Sequence, residues 1–328
     1  MIRSRRFDAW PAILRICPID MIVDCHTHIW QAPEQLGQAT LGEPASLVKG
    51  TSRLGGQSLG LWRSTPAGDP DHHWAQTQTV SAAIVLGFKS RYLRAEIPNR
   101  FIADYVRRSP EKLVGFAGID PTDSTAIDEV RSAKVLMNLR GIVISPANQD
   151  FHPCDSRAMR LYEEAVRLKM PVMIHPSSAY SRASKMEYAQ PYLFDEVARS
   201  FPDLTLIFAQ LGYPFVDQAT MLLSKHSRVF ADISGLPGRP WVCYNALVLA
   251  HQAGVFPKLL FGSDFPYTNA TECIEALYSL NQIVQGSNMP LIPRQSLRAL
   301  IERNSLPILG LDTVTPIPTP LKTKTEVS

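Results

Sequence analysis

Eight short runs of apolar, largely β-branched residues recur along the chain, separated by longer stretches with helical spacing. The runs are MIVDCH (21–26), SAAIVLGF (81–88), LVGFAGID (113–120), RGIVIS (140–145), PVMIH (171–175), LTLIFAQ (204–210), RVFADIS (228–234) and KLLFGSD (258–264). Each is almost continuously apolar rather than alternating, as strands covered on both faces of a parallel sheet are. Segments such as SRAMRLYEEAVRLK (156–169), PYLFDEVARSF (191–201) and SLRALIERN (296–304) carry apolar residues three and four apart. Strand and helix alternating eight times predict an α/β fold, a single-domain (β/α)8 TIM barrel over residues 21–311. An open doubly wound sheet is the rival, but no strand runs into a GxGxxG or Walker loop.

Residues 1–20 are read as an N-terminal extension, with Met21 a candidate start. Residues 312–328, rich in Pro, Thr and Lys, are read as a disordered tail. The connection between the first two strands, residues 31–79, is long, polar and rich in Gly, Gln and Trp. Leaving the C-terminal end of strand one, it is expected to lie over the barrel mouth as a lid-like loop, a binding loop or a small excursion with its own structure.

The strand ends carry the chemistry. In Asp24-Cys25-His26-Thr27-His28, alternate residues of an extended chain share a face, so His26 and His28 are expected to project together into the mouth. His175 ends strand five and Asp264 ends strand eight. Three imidazoles and a carboxylate converging from three strands form a ligand set for one divalent ion, Zn²⁺ first, with Mn²⁺ or Fe²⁺ also accommodated. Strand four ends Ile144-Ser145-Pro146-Ala147, which offers no ligand for a second ion. Lys89 and Arg91 after strand two, and Arg53 and Arg63 in the lid, are candidates for a substrate carboxylate. Each is otherwise a solvated charge. His72-His73-Trp74 could reach the substrate from the lid, and Tyr267 stands just past Asp264.

A net charge of +3, with no dense basic block, argues against nucleic-acid and anionic-membrane partners. No run approaches the roughly 18 apolar residues of a spanning helix. Five scattered cysteines without a CxxC pair fit a reducing, cytoplasmic setting.

The stretches DCHTHIW, NRFIADYVRRSPEKLVGFAGIDP, LRGIVISP, LYEEAVRLKMPVMIHPSS, LTLIFAQLGYPF, KLLFGSDFPY and RNSLPILGL together resemble the amidohydrolase superfamily. The resemblance is to the branch related to aminocarboxymuconate-semialdehyde decarboxylase, and it spans about residues 21–311. It implies that His26, His28, His175 and Asp264 are the metal ligands, and that the protein is a homodimer. In that family the strand-six motif begins with a His that assists catalysis. Here the motif reads Gln210-Leu211-Gly212, and an amide cannot accept a proton near neutral pH.

Three readings follow from Gln210. It orients substrate while Asp264 moves the proton, or the chemistry departs from the family's decarboxylases, or the protein is inactive. The leading expectation is a mononuclear metal-dependent hydrolase of a small carboxylated ester, lactone or amide, with Asp264 and Gln210 as the catalytic pair. A non-oxidative decarboxylase of a muconate-like or aromatic acid is the alternative. A catalytically silent barrel comes third, because four ligands kept together serve no purpose in it.

Overall fold

All eight apolar runs form strands, β1 (Val23–His28), β2 (Ala82–Leu86), β3 (Leu113–Gly118), β4 (Gly141–Ile144), β5 (Val172–Ile174), β6 (Leu206–Phe208), β7 (Val229–Asp232) and β8 (Leu259–Leu260). The computed structural model describes residues 21–36, 67–175 and 183–311. Neighbours pair in parallel in chain order from β1 to β8. Backbone bonds close the ring, from Cys25 N to Phe261 O (2.9 Å), Asp264 N to His26 O (3.0 Å) and His28 N to Phe265 O (2.8 Å). The architecture is therefore a (β/α)8 barrel.

Helices α1 (Pro70–Gln76), α2 (Asn99–Val106), α3 (Ala126–Val135), α4 (Ser156–Arg167), α5 (Asp195–Ser200), α6 (Val216–Lys225) and α7 (Pro240–Gln252) each separate consecutive strands. Two more, α8 (Ala270–Ser279) and α9 (Arg294–Ile301), follow β8. Helix α4 shows why they dock. Asp155 caps its first turn by accepting from Arg157 N, and Ala158, Leu161, Tyr162 and Ala165 form one buried stripe. Burying a side chain such as Leu161 stabilises the fold by about 1.5–3 kcal/mol relative to exposure.

The core has two parts. Ile84, Leu86, Phe116, Met173, Ile207 and Leu260 fill the lumen, whereas Val85, Ile144, Val172 and Phe208 face outward against the helices. Among the described residues no helix is long and apolar enough to cross a membrane.

One expectation needs correction. The connection over 31–79 is not all lid, because Asp69 caps α1 and the segment Pro70–Thr79 is the barrel's first helical layer. Residues 37–66 lie outside the described residues, as do residues 1–20 and 312–328. An antiparallel hairpin, Phe88–Ser90 with Ala95–Ile97, also follows β2, in a stretch of mixed polar and apolar residues.

Candidate metal centre

A bulge in β1 aims the histidines. Asp24 pairs with Ala83 but Thr27 pairs with Val85, so β1 spends one residue more than β2 between these points. Val23 and Cys25 pack in the lumen, and without the extra residue His26 and His28 would share the opposite, outward parity. After the bulge it is Thr27 that points out, donating to Ile84 O (2.8 Å) and meeting His73 Nε2 (2.8 Å). Bulges beside functional sites commonly re-aim side chains in this way. Asp24 supports the turn by accepting from His26 N (3.2 Å) and Ser263 N (2.9 Å), and burial pushes its carboxyl up to about 6. Gly262 permits β8 to close on β1, since a Cβ there would stand 2.8 Å from His26 Cβ.

The structure brings His26, His28 and His175 together, with one ring nitrogen from each within 4.8 Å of the others. His26 Nε2 and His28 Nε2 face each other at 3.0 Å. The other nitrogen of His26, Nδ1, donates to Asp232 Oδ2 at 2.9 Å, which directs the ring's Nε2 at the cluster. Burial, with His26 beside them, holds His28 well below the usual imidazole range and His175 at about 3. Both are therefore neutral lone-pair donors. Burial opposes a charge on His26 too, but the Asp232 and Asp264 carboxylates outweigh it and hold this ring above its ordinary range. Neutral donors and carboxylates around one point favour a cation there, and this donor set fits a divalent ion.

Asp264 stands beside the imidazoles rather than among them, with Oδ1 3.5 Å from His26 Nε2. Its second oxygen, Oδ2, accepts from Gln210 Nε2 at 3.3 Å. Burial raises its carboxyl to about 6, with Asp232 adding to the rise and His26 opposing it. Gln210 and Leu211 both adopt left-handed backbone (φ 55° and 48°), and Gln210 N donates to Asp232 Oδ1 (3.0 Å). Gln210 is thus fixed through its backbone, and its side-chain amide addresses Asp264. Gly235, at φ +67°, brings the loop after β7 against this pair, where a Cβ would lie 3.0 Å from Asp264 Oδ2 and 3.1 Å from Gln210 Nε2.

The softer candidates fare differently. Lys89 Nζ is held by Glu129 (2.8 Å) and Asp123 (3.2 Å), so its charge is already matched and a substrate carboxylate would compete with two internal ones. Arg91 is tied to the loop after β3, donating to Asp120 through its backbone and to Thr122 O through its side chain. His73 is not a rim residue. It is buried on α1, outside the strands, between Tyr105 and Thr27. His72 packs on Phe265, and Trp74 lies under Lys112. Tyr267 lies 6.2 Å from Trp30, with its N donating to Asp264 O (2.9 Å), and so stays close to the site. Arg53 and Arg63 lie outside the described residues. Asp232 and Arg239 were not anticipated. The only trace of Asp232 is an acidic residue ending the otherwise apolar run RVFADIS, and for Arg239 nothing local distinguishes it from a surface charge.

A closed barrel with imidazoles and a carboxylate at the C-terminal ends of its strands is of the class whose chemistry arises from that rim. The model of the Amidohydrolase family matches residues 23–311, and the chain belongs to that family. Among solved structures, an uncharacterized TIM-barrel protein from Bordetella bronchiseptica is similar at 16% identity. The match covers 88% of this chain and 98% of that one, with a TM-score of 0.65. A probable 2-pyrone-4,6-dicarboxylic acid hydrolase from Acinetobacter baumannii, with citric acid bound, is 13% identical over 88% and 99%, with a TM-score of 0.57. A 5-carboxyvanillate decarboxylase from Novosphingobium aromaticivorans, complexed with manganese and 4-hydroxy-3-methoxy-5-nitrobenzoic acid, is 12% identical over 89% and 96%, with a TM-score of 0.59. No curated protein sequence matches the chain.

Proposed function

We propose that this amidohydrolase-family barrel hydrolyses a small ester, lactone or amide that carries a carboxylate. His26, His28 and His175, with Asp264 at their edge, would hold one divalent ion, Zn²⁺ or Mn²⁺. When bound, the ion supplies Lewis acidity at the scissile carbonyl and lowers the pKa of water. The observation that carries the reading is the Asp264 carboxylate, with one oxygen toward the imidazoles and the other held by the Gln210 amide. Asp264 is the Brønsted base in this arrangement. It accepts the proton of the attacking water and returns it to the leaving oxygen or nitrogen. Gln210 moves no proton. Its Nε2 fixes the rotamer of Asp264, and its backbone N–H helps to hold Asp232.

Decarboxylation is the second reading, supported by the manganese-containing decarboxylase with the same fold. In that case a protonated Asp264 would deliver its proton to carbon, and burial of the carboxyl favours the protonated form.

The test compares Asp264→Asn with Gln210→Ala on a panel of lactones and aromatic acids, following both ring opening and CO2 release. Asp264→Asn should lower kcat by about 10²–10⁴-fold. Gln210→Ala loses one hydrogen bond to the base and should cost about tenfold. Full activity in Asp264→Asn would sink the proposed proton path. CO2 release without ring opening would replace hydrolysis by the second reading.

A further inference from the structure

We propose that Arg239, carried on the loop between β7 and α7, recognises a carboxylate group of the substrate. The inference rests on the carboxylated substrate of the reading above and names the residue that would select it.

The loop over residues 233–239 (ISGLPGR) is built against the site. Leu236 is buried and anchors it, while Leu236 N donates to Ile233 O (3.2 Å) and Arg239 N to Leu236 O (2.8 Å). Two consecutive turns therefore carry the chain from Gly235, packed on Asp264 and Gln210, to Arg239 four residues later. The Arg239 guanidinium carbon lies 4.8 Å from the centre of the Tyr213 ring. Tyr213 is itself fixed to the strand-six turn, its N donating to Gln210 O at 2.9 Å. Loops from two adjacent strands thus hold the cation at the mouth.

Its place, on a loop packed against Asp264 and Gln210, sets this arginine apart. Arg131, Arg157, Arg167, Arg199 and Arg298 all meet a carboxylate of the chain. Among the described residues, Arg239 has neither an ion-pair partner nor a side-chain hydrogen bond. A half-buried guanidinium stacked on an aromatic ring keeps its planar fork free and pre-oriented, which suits a carboxylate better than a mobile surface lysine does. It also supplies the cation that Lys89, committed to Glu129 and Asp123, does not.

The experiment is calorimetric titration of the metal-loaded protein with citrate and with 2-pyrone-4,6-dicarboxylate, beside their neutral methyl esters. The wild type should bind at least one acid. Arg239→Met, which keeps an unbranched side chain, should weaken that binding by about 10–100-fold and leave the esters unaffected. Arg239→Lys should fall between the two, and Arg239→Gln should agree with Arg239→Met, so that a folding defect in one variant does not decide the outcome. Acid binding that is equal in wild type and Arg239→Met, or absent from the wild type, overturns the proposal. Metal content and turnover are read on the same samples. Acid binding lost in Arg239→Met while the wild type hydrolyses nothing retires the hydrolase reading and keeps Arg239. Hydrolysis by the wild type with normal acid binding in Arg239→Met does the reverse.

Discussion

Asp232 accepts from His26 Nδ1, Gln210 N and Ser234 N, and it is fully buried. A buried carboxylate is costly unless it is hydrogen-bonded. Here each bond also orients the site, setting the tautomer of His26 and the turn that carries Gln210. Burial opposes ionisation of Asp232, but the facing His26 ring and these bonds hold its carboxyl below the usual carboxylate range. Asp232→Asn keeps the shape and removes the charge, so affinity for the ion should fall about 10–100-fold, measured by competition with a chromogenic chelator. Unchanged affinity would mean that packing alone orients His26.

Between elements, α3 and α4 meet through Glu164, which is buried at their junction. It accepts from Arg167 of its own helix and from Arg131 of α3. Arg167 first, and then Arg131, hold the carboxyl at about 2 against the opposing effect of burial. A carboxyl depressed on folding adds stability above its unfolded value of about 4.5, and that stability is lost as pH falls toward 2. Both arginines are half exposed, which limits the contribution to about 1 kcal/mol. Glu164→Gln should therefore lower Tm by about 2–4 °C at pH 7, with the difference closing between pH 4.5 and 2. Equal melting at pH 7 would show that the junction is held by its apolar contacts.

At the scale of the whole molecule, the proposed centre joins distant parts of the ring. The imidazoles come from β1 and the end of β5, Asp264 follows β8, Asp232 ends β7, and Gln210 follows β6. Only the closed barrel assembles them, so an ion that binds the folded state stabilises the whole chain by mass action, by about 4 kcal/mol at a thousandfold excess over Kd. Chelator-stripped protein should melt about 5–10 °C lower than protein given Zn²⁺ or Mn²⁺. The double variant His26→Ala with His28→Ala should show no such shift. A wild type insensitive to both chelator and metal would argue against the centre.

The barrel was legible in the sequence because its signals are local. A strand covered on both faces is apolar along its length, and the helix after it shows its buried stripe within a dozen residues. The HxH pair and the strand-end His175 and Asp264 were equally visible, since a strand's C-terminal end in such a barrel lies at the mouth by topology. The glutamine at position 210 could be read in the same way. Other features were decided only by the tertiary structure. The extra residue in β1 that turns His26 and His28 inward appears only once β1 is paired with β2. Lys89 looked free until folding placed Asp123 and Glu129 against it. His73 looked like a lid residue until α1 buried it between Tyr105 and Thr27. Asp232 meets His26 across 206 residues. Charges, polar groups and strand registers are satisfied by whatever folding brings within about 3 Å, and that pairing is set by the closed ring rather than by neighbours along the chain.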